Sequence, residues 1–199
     1  NYGILMNNIT DSTLRGNHIS EAYQRRDAQG KGLVSGTEGK ALFVYNAQYN
    51  RFEANRLTGS DIGIHLTAGS EDNELVGNAF VDNRQQVMYV ATRAQEWSEA
   101  GRGNYWSDYL GWDLDGDGVG DTPYEPNDAM DRLLWRYPVA RLLMHSPAVL
   151  ALRWLHRQFP VFRPQGVKDS HPLMNEPELD ASDSNGSAFH TPERGDASA

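Results

Sequence analysis

The 199-residue chain contains no cysteine, which excludes disulfide staples, thiolate metal sites and cysteine nucleophiles. Any soft-metal chemistry must therefore use methionine or histidine. Positive charge is also scarce: 18 Lys and Arg stand against 27 Asp and Glu, a net charge of −9 and a pI near 5.1, which argues against a nucleic-acid partner. No uncharged apolar run reaches the roughly 18 residues of a membrane span, because Arg141, His145, Arg153 and Arg157 interrupt the most apolar stretch. Residues 1–20 have neither the basic start nor the apolar run of a signal peptide. They read as mid-domain sequence, so the chain is expected to be the C-terminal part of a longer protein. At 39% hydrophobic residues with 19 glycines, the composition is lean for a helical core and suits frequent sharp turns.

The charge is unevenly spread. Residues 1–129 hold 10 basic and 19 acidic side chains, residues 130–168 hold 7 and 1, and residues 169–199 hold 1 and 7. Three parts follow: residues 1–128 as the main fold, 129–174 as a basic apolar segment, and 175–199 as an acidic tail.

The first part repeats. Short apolar runs at Gly3-Ile4-Leu5-Met6, Ala41-Leu42-Phe43-Val44-Tyr45, Gly63-Ile64-His65-Leu66 and Gln86-Val87-Met88-Tyr89-Val90 are each followed by an Asn-centred turn, at Asn17, Asn55, Asn78 and Asn104. The last two intervals are 23 and 26 residues, and the first, 38, fits a coil carrying an inserted loop at 21–39. Strands this short cannot bury a core alone, whereas stacked coils share one interior and bond to each other through their backbones. Asn and Gly suit the corners because both tolerate positive φ, and Asn also bonds its equivalents in neighbouring coils. The period admits leucine-rich repeats, but their consensus is missing, and an antiparallel sandwich has no reason to repeat Gly-Asn at one interval. The pattern predicts an all-β chain: a right-handed parallel β-helix.

Behind the last coil lies an aspartate loop. Asp113, Asp115, Asp117 and Asp121 match positions 1, 3, 5 and 9 of a calcium loop, with Gly118 at the sharp turn and Val119 offering its carbonyl. Position 12 is Tyr124, which cannot be the usual bidentate ligand. Two readings stand side by side: a structural calcium or other hard cation, or a solvated acidic turn whose aspartates cap backbone amides. Trp106, Tyr109 and Trp112 are expected to close the open end of the solenoid, with a sugar-stacking platform as the alternative.

In the basic part, Ser146-Pro147 is a helix start, and the helix is expected to run to about Gln158; a shorter one precedes it over about 129–137 and stops at Pro138. Val149, Leu152, His156 and Phe159 share one face, widened by Leu150 and Trp154, while Arg153 and Arg157 share another. Together with Arg141 these make a basic amphipathic surface, which either packs back on the solenoid or docks on a membrane protein or anionic headgroups. Arg141, Arg153, Trp154, Arg157 and Phe159 are the candidate partner-binding residues. The tail from Asn175 is small, polar and acidic, and is expected to be disordered.

The Asn-turn coils, Gly103-Asn104-Tyr105-Trp106-Ser107-Asp108-Tyr109, Asp115-Gly116-Asp117-Gly118-Val119-Gly120-Asp121 with Pro123-Tyr124, and the segment ending in Asp169-Ser170-His171-Pro172-Leu173-Met174 together resemble the NosD family. These are the periplasmic maturation proteins of nitrous-oxide reductase, and the likeness covers about residues 1–174. It implies a periplasmic, copper-binding accessory protein, not an enzyme. It further implies action with an ABC transporter permease and a copper chaperone to assemble the copper sites of nitrous-oxide reductase, at the membrane only through a protein partner.

Copper in this chain is restricted to thioether and imidazole donors. Met144-His145 and His171 with Met174 are close pairs in sequence, and His65 and Met88 occupy comparable strand positions in adjacent coils, where they meet across one rung. Isolated methionines are usually core filling. Two other functions suit such a fold: a carbohydrate-active β-helix enzyme, which needs carboxylates and a proton acceptor across successive coils, and a structural or adhesive surface solenoid. The carboxylates here gather instead in the end loop.

Overall fold

A computed structural model describes residues 2–24, 38–67, 69–89, 93–126 and 166–178. Twelve strands wind as four coils of three: β1 (Tyr2–Asn7), β2 (Thr13–Arg15) and β3 (His18–Ser20); β4 (Lys40–Tyr45), β5 (Arg51–Glu53) and β6 (Arg56–Thr58); β7 (Ile62–Leu66), β8 (Glu74–Val76) and β9 (Ala79–Val81); β10 (Gln85–Tyr89), β11 (Gln95–Glu96) and β12 (Tyr105–Trp106). Corresponding strands of successive coils pair in parallel and build three faces, ordered β1-β4-β7-β10, β2-β5-β8 and β3-β6-β9-β12. The fold is a parallel β-helix. Its coil lengths follow the Asn spacing, and the long first coil opens between β3 and β4, where residues 25–37 lie outside the described residues.

The interior is a set of aligned files. Ile4, Leu42, Ile64 and Val87 are register partners along one face, Leu14, Phe52 and Leu75 along the second, and Ile19, Leu57, Phe80 and Trp106 along the third. From the second coil onward these side chains are fully buried. Each contributes about 1.5–3 kcal/mol of burial, so the core grows by one row per coil.

The corners are held by amide ladders. Asn17 donates its backbone N–H and its Nδ2 to Oδ1 of Asn55, Asn55 does the same to Asn78, and Asn78 to Asn104, all at 2.8–3.1 Å. Asn50 and Asn73 repeat the scheme at the next corner. Asn8 (φ 53°) and Asn46 (φ 47°) take up positive φ directly after β1 and β4, but at the corners of the long ladder the left-handed residue is the one before the asparagine: Gly16 (φ 67°), Ala54 (φ 51°) and Gly77 (φ 66°). The asparagines serve instead as the hydrogen-bonding spine.

The far end is closed by sequence from two places. Trp106 stacks on Phe80 (4.2 Å between ring centres) and on Tyr124 (4.6 Å), which prolongs the interior file beyond the last coil. Tyr109 packs edge-on against Tyr124 and donates its hydroxyl to the Thr122 carbonyl. Trp112, expected in the same cap, is 51% exposed and stands outside the stack. Residues 166–178 then return to the solenoid. Strand β13 (Val167–Lys168) pairs parallel with β11, and Leu173 bridges both Tyr105 and Val119.

These returning residues were grouped by sequence with the helical segment and the tail; they are extended and bonded to the last coil. Glu176 forms an ion pair with Arg56, so the acidic end begins tied to the solenoid. The helices expected over 129–137 and 146–158 lie outside the described residues, as does the tail from 179 on.

Candidate metal sites

The face made by β1, β4, β7 and β10 carries an outward file of register partners: Leu5, Phe43, His65 and Met88. Strand alternation sends Leu42, Ile64 and Val87 inward and their neighbours outward. The Phe43 and His65 rings stack at 4.9 Å, Tyr2 stacks on Phe43 at 5.4 Å, and Lys40 Nζ lies 4.3 Å from the centre of the Phe43 ring. His65 is half-buried, and its Nδ1 is enclosed without a hydrogen-bond partner. Burial, and then the charge of Lys40, push its imidazole down to about 4, so the ring is neutral at ordinary pH. Burial also lowers Lys40 from its usual range. Met88 is the Cα partner of His65 on the next rung.

In the aspartate loop, Asp113, Asp115 and Asp117 bring one oxygen each to within 4.8 Å of one another. Each also accepts a backbone N–H of the loop. Asp113 accepts the Gly116 N–H at 2.7 Å on one oxygen and the Gly118 N–H at 2.9 Å on the other. Asp117 accepts the Val119 N–H and Asp121 the Leu114 N–H, both at 2.7 Å. The Gly118 amide foremost holds Asp113 below the usual carboxylate range. At Asp115 the amide of Asp117 lowers the pKa most, but the Asp117 charge, burial and the Asp113 and Asp121 carboxylates together outweigh it, and the pKa rises. The loop is thus an amide-capped acidic turn whose three converging carboxylates are also the atoms a cation would take.

His171 and Met174 sit on the returning segment. The Nδ1 of His171 is 2.9 Å from Ser98 Oγ, and Ser98 donates its hydroxyl proton to Glu96 at 2.7 Å. With that proton committed, the hydroxyl receives the imidazole N–H, so Nδ1 is spent and only Nε2 of His171 remains for a metal. The same geometry is no nucleophilic triad, because the carboxylate takes the hydroxyl and Ser170 instead of orienting the histidine. Met144, His145, Arg141, Arg153, Trp154, Arg157 and Phe159 lie outside the described residues.

Asp169 is the residue that sequence reading missed. It is fully buried, and one oxygen accepts the Asn104 N–H at 2.7 Å and Trp106 Nε1–H at 2.8 Å while the other accepts the His171 N–H at 3.1 Å. It thus occupies the next position of the Asn17-Asn55-Asn78-Asn104 ladder. Burial, opposed by these donors, pushes its carboxyl up to about 6. Gly103 is required beside it, since a Cβ there would overlap the Asp169 carboxylate. The signal was present in Val167-Lys168-Asp169, a short run followed by a ladder residue, but a search for asparagine passes over it.

Comparison with known proteins places these features in a family. Residues 1–111 match the model of the periplasmic copper-binding protein NosD. The chain is 62% identical over 177 residues to a protein of Pseudomonas aeruginosa described as a probable ABC transporter binding protein NosD, and 63% identical over 177 residues to one of Stutzerimonas stutzeri with the same description. Each alignment covers 89% of this chain but only 41% and 40% of the respective relative. The chain spans about two fifths of the length of these curated relatives. A matched stretch covering more than half the chain, together with this level of identity, shows that the chain belongs to the NosD family of periplasmic copper-binding proteins.

Proposed function

We propose that the chain is part of a periplasmic accessory protein, without catalytic activity of its own, that handles copper for the copper sites of nitrous-oxide reductase. It works beside an ABC transporter permease and receives copper from a copper chaperone. The observation that carries this reading is the family membership, with its description as copper-binding and the relatives' description as ABC transporter binding proteins. The chemistry agrees: the chain has no thiolate, and its imidazole and thioether donors suit cuprous ion.

The basic amphipathic stretch 129–162 is the transporter-facing part in this proposal. The described residues that flank it, Pro126 and Gly166, both lie beside the closed end, so a docked stretch would bring that end to the partner. The test is copurification with the permease from detergent-solubilised membranes. Reversing Arg141, Arg153 and Arg157 to Glu together is expected to abolish it without altering the solenoid's circular dichroism. Retention of the permease by that triple variant would overturn the assignment of the surface.

A further inference from the structure

We infer that His65 and Met88 form a cuprous-ion site on the outer face of the solenoid, with the Phe43 ring as its wall. The inference rests on the copper-handling reading above and adds the place of binding.

Among the described residues, three buried side-chain polar atoms lack a hydrogen-bond partner: Thr58 Oγ1, His65 Nδ1 and Trp97 Nε1. Trp97 offers only a donor, and a hydroxyl is a hard ligand. The His65 nitrogen is the one with a lone pair suited to a soft metal, and an enclosed nitrogen without a protein partner calls for an occupant such as ordered water or an ion. The next rung supplies the second donor. Parallel strands lie about 4.8 Å apart, and Met88 is the Cα partner of His65, so its flexible thioether starts one strand spacing from the imidazole.

The surroundings select charge as well as softness. The file Leu5-Phe43-His65-Met88 contains no carboxylate, and Lys40 lies close enough to act on His65. A positive neighbour disfavours a dication about twice as strongly as a monovalent ion. A neutral N,S pair in such a setting takes Cu(I) in preference to Zn(II), Ca(II) or Cu(II). The rival pair differs on the point that matters, because Nδ1 of His171 is already bonded to Ser98.

The test is an anaerobic Cu(I) titration of the intact chain against a chromogenic chelator, with the nitrogen-15 resonances of the His65 ring followed by NMR. H65Q and M88L are each expected to lose affinity on the order of tenfold or more, while the H171Q/M174L pair is unchanged. In the unsubstituted chain, the His65 Nδ1 resonance shifts with Cu(I) and stays put with Zn(II). Met88→Leu conserves volume, so M88L and the resonance of the unsubstituted chain keep the test valid even if H65Q fails to fold. Unchanged affinity in M88L with an unmoved His65 resonance would overturn the site and leave the copper-handling reading intact. An equal shift with Zn(II) would overturn its selectivity. No Cu(I) uptake by the unsubstituted chain would overturn both the site and copper handling by this chain.

Discussion

The middle coils and the closed end of the solenoid solve the same problem by different means. In the coils, each rung repeats its neighbour: at least one aliphatic or aromatic side chain per face points inward, and asparagines at the corners bond the coils above and below. At the closed end no further coil follows β12 among the described residues, so the spine and the interior file both need a foreign terminus. The spine ends on Asp169, which arrives from more than 60 residues downstream of Asn104, and the interior file ends on Tyr124. Redundancy protects the coils, because each asparagine is one of several. The end depends on single residues, and its stability is expected to be the more fragile of the two.

That contrast breaks most visibly at Asp169. Asp169→Ala leaves Asn104 N–H and Trp106 Nε1–H buried without an acceptor and removes that of His171 N–H, and is expected to destabilise the end by about 3–5 kcal/mol. Hydrogen exchange should rise at Gly103, Tyr105 and Leu173, whose amides bond or flank the returning segment, and remain slow at Ile64. Uniform acceleration along the chain would mean that the end and the coils unfold as one unit.

The same carboxyl makes the end sensitive to pH. Its folded pKa, about 6, lies above the ordinary 3.8, so the folded chain holds this proton more tightly than the unfolded one. Stability from this group is fully present below about pH 4, falls as pH rises to about 6, and is level above that. The span is on the order of 3 kcal/mol. Thermal unfolding of the native chain minus that of Asp169→Asn, scanned from pH 4 to 7, isolates it; a flat difference would refute the raised pKa.

A single spine residue should matter somewhat less. Asn78→Ala removes the acceptor of the Asn55 amides and the donor to the Phe52 carbonyl, and is expected to cost about 2–3 kcal/mol, measured by chemical denaturation. The smallest effect has the opposite sign. Ala54 holds φ 51° where the equivalent positions in the first and third coils are Gly16 and Gly77, so Ala54→Gly is expected to stabilise by up to about 1 kcal/mol. A loss of stability would show that the alanine methyl contributes packing that outweighs the backbone strain.

Much of this was legible from residue spacing. The intervals between Asn55, Asn78 and Asn104 are the rung spacings of the third face, and the apolar run before each turn marks the inward file. The position of His65 opposite Met88 was also readable, because a near-constant coil length brings equivalent strand positions together. The aspartate loop was less so. Its spacing fits a cation loop and an amide-capped turn equally well, and the carboxylates of the folded loop both cap amides and converge. Trp112 was misassigned to the cap because composition identifies an aromatic cluster without saying which ring faces the core.

Coil period, corner chemistry and the absence of thiolate ligands are thus properties of the sequence itself. They follow from local rules, since each coil repeats a pattern set within about two dozen residues. Tertiary structure alone decided that Asp169 ends the asparagine spine, that residues 166–178 close the solenoid, and that the His65 nitrogen is enclosed without a partner. Those outcomes depend on contacts between distant segments and on which atoms water no longer reaches, and neither is encoded in the spacing of neighbours along the chain.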